Sequence, residues 1–227
     1  MKTAAIIAAA GIGRRMGAGR PKQYLELAGR PIICHTLDRF VEACVDELVI
    51  VVEPGREGSF KAEILGDFGF PDGWLIVAGG DVRQRSVYNG LCATSEVDVV
   101  MVHDGVRPFI TKAQIELLAK TALDRGSCIL ASPIKETVKK VDAGGAIMET
   151  VDRSDLWGAQ TPQAFRRSLL MSAMESAFKE NFMGTDEASI VERLGEKVSV
   201  VEGDSRNVKI TTPSDLIVAE AILEEWR

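Results

Sequence analysis

Apolar positions along the chain fall into two alternating rhythms. Short unbroken runs occur at residues 4–10 (AAIIAAA), 48–52 (LVIVV), 75–77 (LIV), 99–102 (VVMV) and 128–131 (CILA). They have strand length and small or β-branched composition, as strands buried on both faces require. Between the runs, apolar residues recur at helical spacing. Pro31 opens a segment carrying Ile33, Leu37, Phe40 and Val41; a second carries Val87, Tyr88, Leu91 and Cys92; a third, capped by Thr111, carries Ile115, Leu118 and Ala122. This alternation predicts a Rossmann-like α/β domain, a mostly parallel sheet with helices on both faces. Further on, Leu169, Leu170, Ala173, Met174 and Ala177 mark a helix. Thr185 or Asp186 starts another, from Glu187 to Leu194, and residues 198–201 and 207–210 read as strands. Thr212 and Pro213 cap and open a last helix with Leu216, Ala219, Ile222 and Leu223 on its apolar side. A chain of 227 residues suits a single domain over 1–227.

Residues 137–153 (TVKKVDAGGAIMETVDR) break the rhythm. Residues 137–141 and 147–151 are strand-like, with the turn signal Asp142-Ala143-Gly144-Gly145 between them. Such a protruding β-hairpin arm has little apolar surface and is marginal alone. It needs something to lie against, either a partner subunit or its own domain.

Composition changes this picture little: 46% hydrophobic and 26% charged residues are ordinary for a globular chain. The net charge of −6 argues against a nucleic-acid or anionic-membrane surface, so an anionic substrate requires a local basic cluster. The N-terminal apolar run is short and meets Gly-Ile-Gly-Arg-Arg at once, which reads as strand and loop rather than signal peptide. No stretch has the length of a membrane helix. Cys34, Cys44, Cys92 and Cys128 form no C-x-x-C and fall in apolar-periodic segments, as expected of buried free thiols in a reducing cytosol.

The chemistry gathers after the first run. Glycines let backbone N–H groups approach phosphate oxygens, and Arg15 and Lys22 add full positive charge nearby. No Gly-Lys pair stands at Walker-loop spacing, and Met16 occupies the third glycine position of a dinucleotide fingerprint. What remains is Ala9-Ala10-Gly11-Ile12-Gly13-Arg14-Arg15-Met16 followed by Pro21-Lys22-Gln23. This G-x-G-x-R-M pattern resembles that of nucleotidyltransferases, and most closely the cytidylyltransferases of the non-mevalonate isoprenoid pathway, which join CTP to 2-C-methyl-D-erythritol 4-phosphate. Further motifs carry the likeness along the chain: Gly79-Gly80-Asp81 with Ser86, His103-Asp104 with Arg107-Pro108, Thr150 to Arg153, Gln160 to Gln163, Thr185 to Ala188, and Asn207-x-Lys209-x-Thr211. Gly105-Val106 departs from the two alanines common in that family. Taken singly, His103 reads as a core residue at a strand end, and Thr161-Pro162 reads as a turn.

The resemblance implies nucleotide contacts from Ala9, Ala10, Gly11, Gly13, Gly80, Asp81 and Ser86. It implies catalytic roles for Arg15, Lys22 and Lys209, and substrate contacts from Asp104, Arg107, Thr137, Arg153, Thr161 and Thr185. It also implies a homodimer joined through the arm at 137–153. The nucleophile would be a phosphate oxygen, ionised near neutral pH, so positioned cations matter more than a general base. A divalent ion, Mg²⁺ above all, is expected on the triphosphate; no protein ligand is fixed, and Asp104 is the best candidate, through water. A ribitol-5-phosphate cytidylyltransferase shares the first loop, but Thr150 to Arg153 followed by Leu156-Trp157 and Ala159-Gln160-Thr161 looks more like the methylerythritol enzyme. An NAD-dependent reductase would use Glu53, which lies too far from Gly13 for the usual fingerprint. A CTP-binding sensor without turnover is a further alternative.

Overall fold

The computed structural model describes residues 1–11, 21–71 and 73–226. Eleven strands and seven α-helices follow one another among these residues, with a 3₁₀ turn at Lys22–Tyr24 and a π-helical turn at Lys61–Gly66. They run β1 (Thr3–Ala8), β2 (Glu26–Leu27), β3 (Arg30–Pro31), α1 (Ile32–Glu42), β4 (Glu47–Val52), α2 (Glu57–Phe60), β5 (Leu75–Ala78), α3 (Arg83–Ala93), β6 (Val99–Asp104) and α4 (Lys112–Arg125). Then come β7 (Ser127–Pro133), β8 (Lys139–Val141), β9 (Ile147–Thr150), β10 (Trp157–Arg166), α5 (Arg167–Lys179), α6 (Glu187–Arg193), β11 (Ser199–Glu202) and α7 (Pro213–Glu225).

Seven strands form one sheet in the order β11-β7-β10-β6-β1-β4-β5. Every neighbouring pair is parallel except those of β10, which runs antiparallel between β6 and β7. Alternate side chains of each strand therefore enter opposite cores. Ala5, Ile7, Ile50, Met101 and Leu130 pack under α1 and α4 with Leu37, Phe40, Ile115 and Leu118. Ala4, Ile6, Val51, Val102 and Phe165 pack under α3, α5 and α6 with Val87, Leu91, Met174 and Ile190. The expected layers, a mostly parallel sheet with helices on both faces, are the ones observed.

Several details differ from the sequence reading. Residues 207–210 are not a strand: they lie outside the sheet, held by the Ile210 N–H on the Val106 carbonyl at 3.0 Å and by burial of Ile210 in the cluster under α7. Residues 157–166, read only as a turn around Thr161-Pro162, form β10, the longest strand. Its register shifts between Ala159 and Gln163, where the Thr161–Pro162 peptide is cis. Pro31 is the cap of α1 rather than its first residue, and Val41 points outward, 46% exposed. All four cysteines are free, but only Cys34 and Cys128 are buried; Cys44 and Cys92 lie on the surface, because each falls just off the apolar stripe of its helix or beyond its end.

β8 and β9 pair antiparallel into a separate two-stranded ribbon. Asp142 shapes its turn by accepting from the N–H groups of Gly144 and Ala146, both at 2.9 Å, and Gly145 takes the left-handed conformation at φ 85°. Residues 139–150 are all exposed, including Ile147 (65%) and Met148 (63%).

Candidate active site

Parallel strands aim their carboxyl ends at one edge, where ligands of open α/β sheets bind. There β1 ends at Ala8, β4 at Val52, β5 at Ala78 and β6 at Asp104, and the segments that follow line a cleft of about 560 Å³. After β1 come Ala9, Ala10 and Gly11, after β5 Gly80 and Asp81, and after β6 Val106; Lys22, Ser86 and Lys209 complete the wall with Glu53 and Arg83. Close approach of backbones makes the small residues necessary. A Cβ on Gly79 would lie 2.6 Å from that of Ala10, and one on Gly105 would lie 2.6 Å from Ile33 Cδ1. Ser86 sits one turn into α3 and accepts the Gly80 N–H at 3.0 Å, which fixes the loop.

A second cleft of about 320 Å³ adjoins the first and shares Arg83, Asp104 and Lys209 with it. Its other walls are Arg107, Thr161, Thr185 and Asp186, with Ala159, Gln160 and Gln163 from β10. The antiparallel strand missed in the sequence thus supplies much of this wall, because its early residues lie at the carboxyl edge of its neighbours.

Asp104 stands at the junction. Its carboxylate takes Lys209 Nζ at 2.8 Å, and Arg83 and Arg107 each at 3.5 Å. Burial alone would raise its pKa, but Arg83, Lys209 and Arg107 outweigh that and hold it well below the carboxylate range. Arg107 also donates to the Asn207 carbonyl at 2.7 Å. Asn207, fully buried, donates to Gln160 Oε1 at 3.1 Å and to the Thr161 carbonyl at 2.9 Å, so the segment carrying Lys209 is fastened to β10.

His103, fully buried beside Phe40, supports this frame from behind. Its Nε2 donates to the Arg107 carbonyl at 3.0 Å, so Nδ1 is the acceptor for the Thr161 hydroxyl at 3.1 Å; that oxygen in turn accepts the Asp104 N–H at 3.0 Å. Burial lowers the His103 pKa from its ordinary 6.5 to about 4. Between those values the unfolded chain binds a proton that the native one refuses, so stability falls as pH drops through that window. The loss is expected to reach about 3 kcal/mol, since a tenfold difference in proton affinity corresponds to about 1.4 kcal/mol. His103→Gln should flatten the pH dependence of denaturant midpoints between pH 6.5 and pH 4; equal slopes in both proteins would refute the assignment.

Not every residue singled out in the sequence arrives here. Gly13 and Arg15 lie outside the described residues. Thr137 and Arg153 are exposed at the base of the arm and line neither cleft of their own chain. Two further residues had no role in the sequence reading of this site, although Glu53 was weighed for a reductase and Glu187 falls within the motif Thr185 to Ala188. Glu53 accepts from Gln23 Nε2 at 2.8 Å and from the Tyr24 hydroxyl at 3.1 Å, which fixes the turn bearing Lys22. Glu187, 0% exposed, takes Arg83 at 2.6 Å. One signal was available: Glu187 falls on the apolar face of α6, three and four residues before Ile190 and Val191. Among the described residues, no three His, Cys, Asp or Glu side chains cluster as a metal site.

A mostly parallel α/β sheet with two adjoining cation-lined clefts at its carboxyl edge is nucleotidyltransferase-like in class. The model of the IspD family, 2-C-methyl-D-erythritol 4-phosphate cytidylyltransferase, matches residues 3–225. The chain belongs to that family. Relatives that carry the same name include a Bacillus pumilus protein, 46% identical over 98% of this chain and 97% of its own length, and one from Geobacillus thermodenitrificans, 48% identical over the same shares. Among solved structures, 4-diphosphocytidyl-2C-methyl-D-erythritol synthase from Anaerococcus prevotii superposes with TM-score 0.86 at 32% identity, covering 98% of this chain and 96% of that one. The 2-C-methyl-D-erythritol 4-phosphate cytidylyltransferase of Thermus thermophilus gives 0.82 at 30% identity, covering 99% and 100%. No helix among the described residues is long and apolar enough to cross a membrane.

Proposed function

We propose that the protein transfers CMP from CTP to 2-C-methyl-D-erythritol 4-phosphate, giving 4-diphosphocytidyl-2-C-methyl-D-erythritol and pyrophosphate. The observation that carries this reading is the junction of the two clefts at Asp104, Arg83 and Lys209, which suits two anionic substrates brought end to end. In this reading the first cleft holds CTP. Ala9, Ala10, Gly11, Gly13, Gly80, Asp81 and Ser86 meet the nucleotide, and Arg15 and Lys22 face its phosphates. The second cleft holds the sugar phosphate against Arg107, Thr161 and Thr185. An oxygen of that phosphate attacks the α-phosphorus, the bond to the β-phosphate oxygen breaks, and pyrophosphate leaves with the electron pair. The acceptor is already ionised, so the task is to offset repulsion between polyanions with fixed cations and backbone donors. Lys22 and Lys209 do this at the reacting phosphorus.

A divalent ion, Mg²⁺, fits as a group carried on the triphosphate, where it would neutralise phosphate charge. The donor set agrees with an ion brought by the nucleotide: Glu53 is taken by Gln23 and Tyr24, and Asp104 by three cations. Thr137 and Arg153 belong to the same reading as contributions to the neighbour's second cleft in a homodimer joined through the arm. A cytoplasmic setting accords with four free thiols.

The deciding experiment is pyrophosphate release from CTP with methylerythritol phosphate and with ribitol phosphate in parallel. Turnover should favour methylerythritol phosphate. Equal or faster turnover of ribitol phosphate would reassign the acceptor.

A further inference from the structure

Glu187 has no part in the chemistry above, yet its position is expensive. It is 0% exposed, burial pushes its carboxyl above the ordinary range, and Oε2 has no hydrogen-bond partner among the described residues. A half-satisfied buried carboxylate lowers stability unless something else is gained. Its one strong contact is Arg83 at 2.6 Å, across 104 positions of sequence.

Arg83 lies on the seam of the two clefts, with its other nitrogen 3.5 Å from Asp104 Oδ1. It is shared unequally and lies closer to Glu187. Lys209 meanwhile holds Asp104 at 2.8 Å. A guanidinium grips a carboxylate with two parallel donors where an ammonium offers one point of charge. An Arg83 without its anchor would therefore take Asp104 for itself and displace Lys209.

Bonds that do not involve Glu187 already hold the elements that carry this pair. Gln84, next to Arg83, donates to the Phe182 carbonyl at 3.2 Å and accepts the Gly184 N–H at 3.0 Å. Gln163 of β10 donates to Asp186 at 2.8 Å and accepts the Ala188 N–H at 3.0 Å. Neither set needs the charge on Glu187, so that charge serves the direction of Arg83 rather than the docking of α6.

We propose that Glu187 is a positioning residue: it draws Arg83 away from Asp104, so that Asp104 keeps Lys209 aimed at the junction of the clefts. The role given to Lys209 rests on the cytidylyl-transfer reading; the geometry does not.

The test compares kcat and KM of the full-length enzyme in two variants. Glu187→Gln, nearly isosteric, should lower kcat about tenfold while KM for CTP stays within about threefold. Glu187→Asp keeps the charge and should hold kcat within about threefold of wild type. An unchanged kcat in Glu187→Gln, an Asp variant as slow as the Gln one, or a failure of Glu187→Gln to fold would each overturn the proposal. Ratios are taken on whichever acceptor the wild type uses, so a different acceptor moves the functional reading alone. If the wild type turns over neither acceptor, that reading fails. The pair is then read in a crystal structure of Glu187→Gln, where Lys209 should have left hydrogen-bond reach of Asp104 and an intact contact would refute the idea.

Discussion

Lys22→Ala lowers kcat by about 100-fold, or about 2.7 kcal/mol of transition-state stabilisation, the scale of a lost oxyanion donor. Lys22 opens the 3₁₀ turn Lys22–Tyr24 and lines the first cleft. Its neighbours secure that turn. Gln23, 2% exposed, donates to the Ala9 carbonyl at 2.6 Å and to Glu53, and Tyr24 is buried with its hydroxyl on Glu53. Truncating Lys22 therefore removes charge from the cleft and leaves the frame in place. Steady-state kinetics with thermal melting separates the two roles. A fall in Tm of more than about 5 °C, corresponding to over 1 kcal/mol in a chain of this size, would make Lys22 structural instead.

Mixed dimers of Lys22→Ala and Arg153→Ala chains recover about a quarter of wild-type activity, although each variant alone is nearly inactive. The reasoning begins from separation: Lys22 lines the first cleft, while Arg153 lines neither cleft of its own chain. The ribbon beyond it exposes Val141 (53%), Ile147 and Met148, a surface suited to a second copy of the chain. In a closed two-fold dimer with exchanged arms, each site takes Lys22 from one protomer and Arg153 from the other. Random assembly makes about half the dimers mixed, and each mixed dimer holds one site with both cations. Co-expression, or unfolding and refolding together, allows the exchange. Confirmed exchange without recovered activity would rule out the shared site.

The centre of the sheet was legible because its strands are buried on both faces, so runs such as Ile6-Ile7 and residues 48–52 are apolar throughout. β10 was not legible, because its first half is site wall: Gln160, Thr161 and Gln163 are polar side chains buried by hydrogen bonding rather than by apolar contact. Residues 207–210 misled for the opposite reason. Val208 and Ile210 alternate with the polar Asn207 and Lys209, which gives a strand-like pattern, yet the backbone meets Arg107 and Val106 instead of a ladder. Motif spacing pointed to residues lining the first cleft, since the glycine loop after β1 is followed by Lys22 and by further motifs in order along the chain. The Arg83–Glu187 pair could not be read that way, because it exists only once α3 and α6 are folded together.

The arm leaves the sheet after β7 and returns at β10, and these strands pair with each other as far as Pro133 and Trp157. Residues 134–156 are therefore an insertion into a hairpin whose ends already meet. Thr137 and Arg153 aside, their length and sequence can drift without disturbing a single strand of the catalytic sheet. In the dimer proposed above, that freedom becomes a means of kin recognition: two enzymes with the same chemistry but diverged arms would fold side by side in one cell and still decline to share a site.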